Sequence, residues 1–236
     1  MKKFILAMAA LTFSFGVMSA QDLASATATY NSGAEALTMG NKTSALEYFQ
    51  KALTMAESLG EEGAEVATNC KNAIPSVILS IGKEFYNNKD FSNAKAKFVE
   101  AAEVAKKYGN DEVTAEVESL LPTVGKRIAL AKVNEAMKNK DIAGVLAGYE
   151  EAMAIDTTDA NTALKYGQFL GNAGKYDDAV KYLELAARHG QEGNAKSVLS
   201  TTFLKNAAAQ LKAGKYAEAV KLAETAISYK ENAQAY

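Results

Sequence analysis

Apolar positions recur along this chain at spacings of three and four, and they come in pairs of stretches. Residues 174–186 read GKYDDAVKYLELA and residues 214–226 read GKYAEAVKLAETA, with eight of the thirteen letters matching in place. The same pattern underlies GNKTSALEYFQKA at 40–52, KDFSNAKAKFVEA at 89–101 and KDIAGVLAGYEEA at 140–152. Each stretch opens on Gly or Lys and a polar residue. A small residue follows, then a large apolar residue four positions on, then Ala three further. That spacing describes one face of a helix that starts behind a turn. A second helical stretch precedes the copies, as in SATATYNSGAEALTM, PSVILSIGKEFYNN and NTALKYGQFLGNA. The predicted unit is helix, short turn, helix, and the chain holds about five of them.

Position by position, the small residue early in the second helix is Ala45, Ala94, Val145, Ala179 or Ala219. The large residue is Phe49, Phe98, Tyr149 or Leu183, and only Ala223 in the last unit. The later Ala is Ala52, Ala101, Ala152, Ala186 or Ala226. On the first helix, Gly33, Gly82 and Gly167 occupy one register position, where Val133 and Ala207 stand in the other two units. This unit resembles the tetratricopeptide repeat, whose helices carry Gly and Ala at these places. The resemblance implies an all-α fold, a right-handed α-superhelix (solenoid) of about five helix–turn–helix units over residues 21–236. Small residues let two antiparallel helices approach closely, and stacked pairs bury the faces that one pair leaves open. The sequence departs from the family in lacking a terminal Pro and a first-helix Trp. The small positions are separated by 49, 51, 34 and 40 residues rather than a constant 34. The surplus lies before units two and three, where it reads as extended first helices, kinked or broken at Pro75 and Pro122.

The first twenty residues follow a different rule. Lys2 and Lys3 precede an apolar run from Phe4 to Phe15, and small residues end it at Ser19-Ala20. This is the layout of a secretory signal peptide, cleaved after Ala20, and the run is short for a membrane span. The expected protein is therefore bacterial and exported, periplasmic or secreted, with no integral membrane span. Cys70 is the one cysteine, so no internal disulfide is available and packing must supply the stability. The formal charge of −2 becomes −4 once residues 1–20 are removed, since they hold two Lys and no acid. Such a balance argues against a nucleic-acid partner, which would call for a basic surplus.

Catalytic chemistry has little to work with. His189, the one histidine, falls at a helix end, where a cation suits the dipole. Cys70 shares a helical face with Val66 and Ile74 and reads as a small core residue. No His, Cys or carboxylate cluster has metal-ligand spacing, and no glycine-rich phosphate loop occurs, so no metal or cofactor is expected. The expectation is a non-enzymatic binding module. Two alternatives stand beside it: a hydrolase or lyase of cell-envelope polymers on an α-superhelical scaffold, and a self-associating structural protein.

The resemblance also implies which first-helix positions line the concave groove. In units two to four they include Lys83, Tyr86 and Asn87, then Arg127, Asn134 and Lys138, then Gln168 and Asn172. None of the 25 groove positions so counted is acidic, where composition leads to about three. Amides at such places suit a peptide backbone, and Lys or Arg suits a carboxylate. The expected partner is an extended peptide or protein segment bearing carboxylates. A Lys–Asn carboxylate clamp in the first unit is absent, because Tyr30 and Ala34 stand there.

Overall fold

The computed structural model describes residues 19–234, so the expected export signal lies outside the described residues but for its last two. The described chain is helical, with no strand among the described residues. Ten α-helices follow one another: α1 (Ser19–Thr38), α2 (Lys42–Ser58), α3 (Ala64–Asn87), α4 (Phe91–Tyr108), α5 (Asp111–Lys138), α6 (Ile142–Ile155), α7 (Ala160–Asn172), α8 (Tyr176–Ala186), α9 (Glu192–Lys212) and α10 (Tyr216–Gln234). They form two compact units, Met1–Leu121 and Pro122–Tyr236, whose boundary falls inside α5.

Five turns join the two helices of each pair, and all five use one hydrogen-bond pattern. The backbone N–H of Asn41, Asp90, Asp141, Lys175 and Lys215 each reaches the carbonyl five residues back, on Ala36, Phe85, Ala136, Leu170 and Gln210, at 2.8–3.0 Å. This pattern needs a left-handed residue just before the donor. Gly40, Gly174 and Gly214 fill that place, but so do Lys89 at φ 64° and Lys140 at φ 56°. Where lysine takes the strained position, an aspartate follows and caps the next helix. Asp90 accepts from Asn93 N–H at 3.2 Å, and Asp141 from Gly144 N–H at 3.0 Å. Where Gly174 takes it, Lys175 follows, with no side-chain cap.

The crossings are built as the small residues predict. A Cβ on Gly33 would lie 2.8 Å from the Phe49 ring, and one on Gly82 2.6 Å from that of Phe98. One on Gly167 would lie 2.7 Å from Leu183 Cγ. Ala45, Ala94, Ala179 and the five later Ala are buried at the same contacts. In unit three the roles change places. Val133 replaces the first-helix Gly, and Gly148 on α6 makes room for it, with 2.6 Å to Val133 Cγ2 from a Cβ placed there.

Both surplus segments are extended first helices. Pro75 lies inside α3 and Pro122 inside α5, and neither breaks its helix. Each proline removes one backbone donor without ending its helix. Pro75 itself is buried, among Ile74, Val77 and Ile78.

Candidate peptide-binding face

In the first compact unit, Lys83, Tyr86 and Asn87 stand on one face of α3. Lys83 does not offer an unengaged charge. Its Nζ lies 2.6 Å from Glu116 Oε1 on α5, with both side chains nearly half exposed. Tyr86 sits edge-on to Phe91 across the turn, at 5.3 Å between centroids. Asn87 is exposed. Glu116 is not one of the 25 groove positions, yet it sets a carboxylate beside Lys83. α5 begins at Asp111, and its early turns carry Glu116 to Lys83.

In the second unit, Arg127, Asn134 and Lys138 are exposed along one stripe of α5. The opposite side of the helix buries Ala129, Val133 and Ala136. Arg127 and Lys138 enter no ion pair among the described residues. Their neighbours do. Lys132 pairs with Glu151 at 2.7 Å, and Lys126 bridges Asp156 at 2.9 Å and Asp159 at 3.1 Å. The Lys126 ammonium is held above its ordinary range, chiefly by its hydrogen bond to Asp156. That same bond lowers the Asp156 carboxyl. Burial works against the charge of Asp159, yet hydrogen bonds from Thr162 and Lys126 outweigh it and hold this carboxyl low as well. On α7, Gln168 and Asn172 are exposed, and Asn172 accepts a hydrogen bond from Lys205 on α9. Lys212 on α9 is exposed, and three apolar side chains accompany these groups: Met137, Leu204 and Leu211, the last two about half exposed.

Charge divides by helix layer, and the division is opposite in the two units. The first helices of unit 2 (α5 from Pro122 onward, α7 and α9) carry eight basic and two acidic residues. Its second helices, α6, α8 and α10, carry three basic and eight acidic. In unit 1 the first helices (α1, α3 and α5 up to Leu121) carry two basic and eight acidic, and α2 and α4 carry six basic and four acidic. Separately, a polar cleft of about 300 Å³ lies among Lys175, Asp177, Asp178, Asn206, Gln210 and Glu218. Its carboxylates oppose an anionic ligand, which separates it from the basic stripe.

Cys70 is fully buried, and burial, with Glu57 nearby, pushes its thiol up to about 12. An attacking thiolate is therefore disfavoured there. His189 lies exposed where the backbone leaves the helical path between α8 and α9. Among the described residues no three His, Cys, Asp or Glu side chains could hold a metal ion. No described helix is long and apolar enough to cross a membrane.

Residues 26–59 match the family model of the tetratricopeptide repeat. No curated protein matches the chain. Solved structures to which it is similar include MamA, at 18% identity, 86% of this chain, 97% of that chain and a TM-score of 0.31. Another is the yeast Sti1 TPR2AB-domain:pHSP90 complex, at 15% identity, 89% and 94% coverage and a TM-score of 0.32. A third is pilF of Pseudomonas aeruginosa, at 17% identity, 86% and 90% coverage and a TM-score of 0.33. The chain has an all-α repeat fold of helix–turn–helix pairs, and the pair at residues 26–59 matches the tetratricopeptide repeat.

Proposed function

We propose that this protein is a non-enzymatic scaffold of the bacterial cell envelope that holds an extended, carboxylate-bearing peptide segment on the first-helix face of its second unit. The reading rests on one observation. Arg127 and Lys138 are exposed on one stripe of α5, without ion pairs among the described residues, in a helix layer with eight basic and two acidic residues. Gln168 and Asn134 add side-chain amides suited to backbone N–H and C=O groups. Met137, Leu204 and Leu211 add apolar contact. Lys83 is assigned to fold stability rather than binding, because Glu116 already neutralises it. Exposed charge contacts contribute about 1 kcal/mol or less each, so the affinity is modest and falls as salt rises.

Calorimetry with two defined peptides tests the site: a hexapeptide alternating Leu and Glu, and the same peptide with Gln for Glu. The Glu peptide should bind, more weakly at 0.5 M salt than at 0.05 M, and the Gln peptide should bind less. The triple variant Arg127→Glu, Lys138→Glu, Lys212→Glu should lose the Glu peptide while keeping its thermal midpoint. Equal binding of the two peptides, or an unaltered triple variant, rejects this face. Export is proposed from Lys2-Lys3 and the Phe4–Phe15 run. Terminal sequencing of protein from its native host should begin at or near Gln21, and an intact Met1 would reject export with cleavage.

A further inference from the structure

The last helix repeats a stripe that the previous unit buries. Along α8 and into the residue after it, the stripe is Tyr176, Val180, Leu183 and Ala187, with Leu183 buried and the other three half-buried. Forty residues on, α10 carries Tyr216, Val220, Ala223 and Ile227 at the same spacing. Here the side chains are open to solvent: Tyr216 is 68% exposed, Val220 58% and Ile227 55%. The buried side of α10 is elsewhere, on Ala219 and Ala226, where the Ala226 carbonyl accepts from Ser200 Oγ of α9 at 2.8 Å.

We propose that this stripe is the interface of a two-fold dimer, with α10 of one copy packed antiparallel on α10 of a second. The spacing of the stripe is four, three, four, which reads the same from either end. A two-fold axis between Val220 and Ala223 therefore sets Tyr216 against Ile227 and Val220 against Ala223, large against smaller, in both halves at once. An isologous contact demands this self-complementarity. Charge agrees with the same register. Lys221 and Glu224 flank the stripe on the side away from α9, and both are exposed. Antiparallel pairing brings Lys221 of each copy beside Glu224 of the other, so the edge attracts itself. A parallel pairing in register would instead set Lys221 against Lys221 and Glu224 against Glu224. Glu224 beside the stripe also disfavours an anionic lipid surface as its occupant.

Sedimentation velocity on the full chain over a concentration series reads the outcome. The wild type should pass from monomer to dimer, and Val220→Glu should raise the dissociation constant by at least about tenfold. Circular dichroism of that variant should be unchanged, since the site is exposed. Lys221→Glu and Glu224→Lys should each weaken the dimer, and the two together should restore it. A monomer throughout the series overturns the proposal, as does a dimer indifferent to Val220→Glu. Single charge variants that weaken the dimer without recovery in the double variant overturn the antiparallel register. Binding of the wild type to anionic vesicles with no dimer in solution would reassign the stripe to a membrane.

Discussion

The two compact units obey one packing rule and opposite charge rules. In unit 1 both crossings pair a first-helix glycine with an aromatic ring, Gly33 with Phe49 and Gly82 with Phe98. In unit 2 the crossings are solved differently: Val133 against Gly148 and Gly167 against Leu183, while the last pair carries Ala207 and Ala223 at the same two register positions. What persists is the requirement that a small residue meet a large one or that both be small, because interiors are close-packed and helices must approach. The first-helix layer meanwhile changes from acidic in unit 1 to basic in unit 2. Surface charge on a helix layer is not constrained by packing, so the two units are free to differ there, and binding is where such a difference acts.

Removing the large partner breaks the packing rule most severely. Phe98→Ala should cost about 3–5 kcal/mol, and Leu183→Ala about 2–5 kcal/mol, read from denaturant midpoints. Values near zero for either would mean that the crossing does not carry the unit. Next comes overfilling. Gly82→Ala and Gly148→Ala should each cost about 1–3 kcal/mol. The Gly148 variant should be relieved by Val133→Ala, whose methyl groups it would meet. A double-mutant cycle without coupling would show that the two residues have not exchanged roles.

Helix caps come third. Asp90→Ala should cost about 0.5–2 kcal/mol, whereas Lys175→Asp supplies a missing cap and should stabilise by up to about 1 kcal/mol. If both changes prove neutral in thermal unfolding, the turn chemistry is not limiting.

The smallest effect concerns the Lys126 cluster. Asp156 and Asp159 titrate below the ordinary carboxylate range, so their contribution is present above about pH 4 and is lost as pH falls through the lowered values. Lys126 titrates above its ordinary value, so its contribution is complete below that ordinary value and is lost as pH rises through the raised one. The cluster therefore acts as a plateau between the two limbs. Lys126→Met should remove about 1 kcal/mol or less at pH 7. It should also shrink the stability difference between pH 7 and pH 3. A variant whose acid limb matches the wild type would exclude the cluster as a source of that slope.

Periodicity alone was sufficient for the helices, the five pairings and most crossings, because spacings of three and four, and glycine or alanine at a fixed register, act through contacts between sequence neighbours. The sequence also marked the basic stripe of α5, since Arg127, Asn134 and Lys138 share one face of one helix. Whether Lys83 was available depended on Glu116, 33 residues away, and only packing α5 against α3 brought the two together. The Val133–Gly148 exchange was invisible for the same reason: each residue looks like a departure until its partner across the crossing is known. The exposure of Tyr216, Val220 and Ile227 was likewise undecidable from letters that α8 nearly shares. Burial is a property of what lies opposite, and a helix does not record its neighbours in its own periodicity.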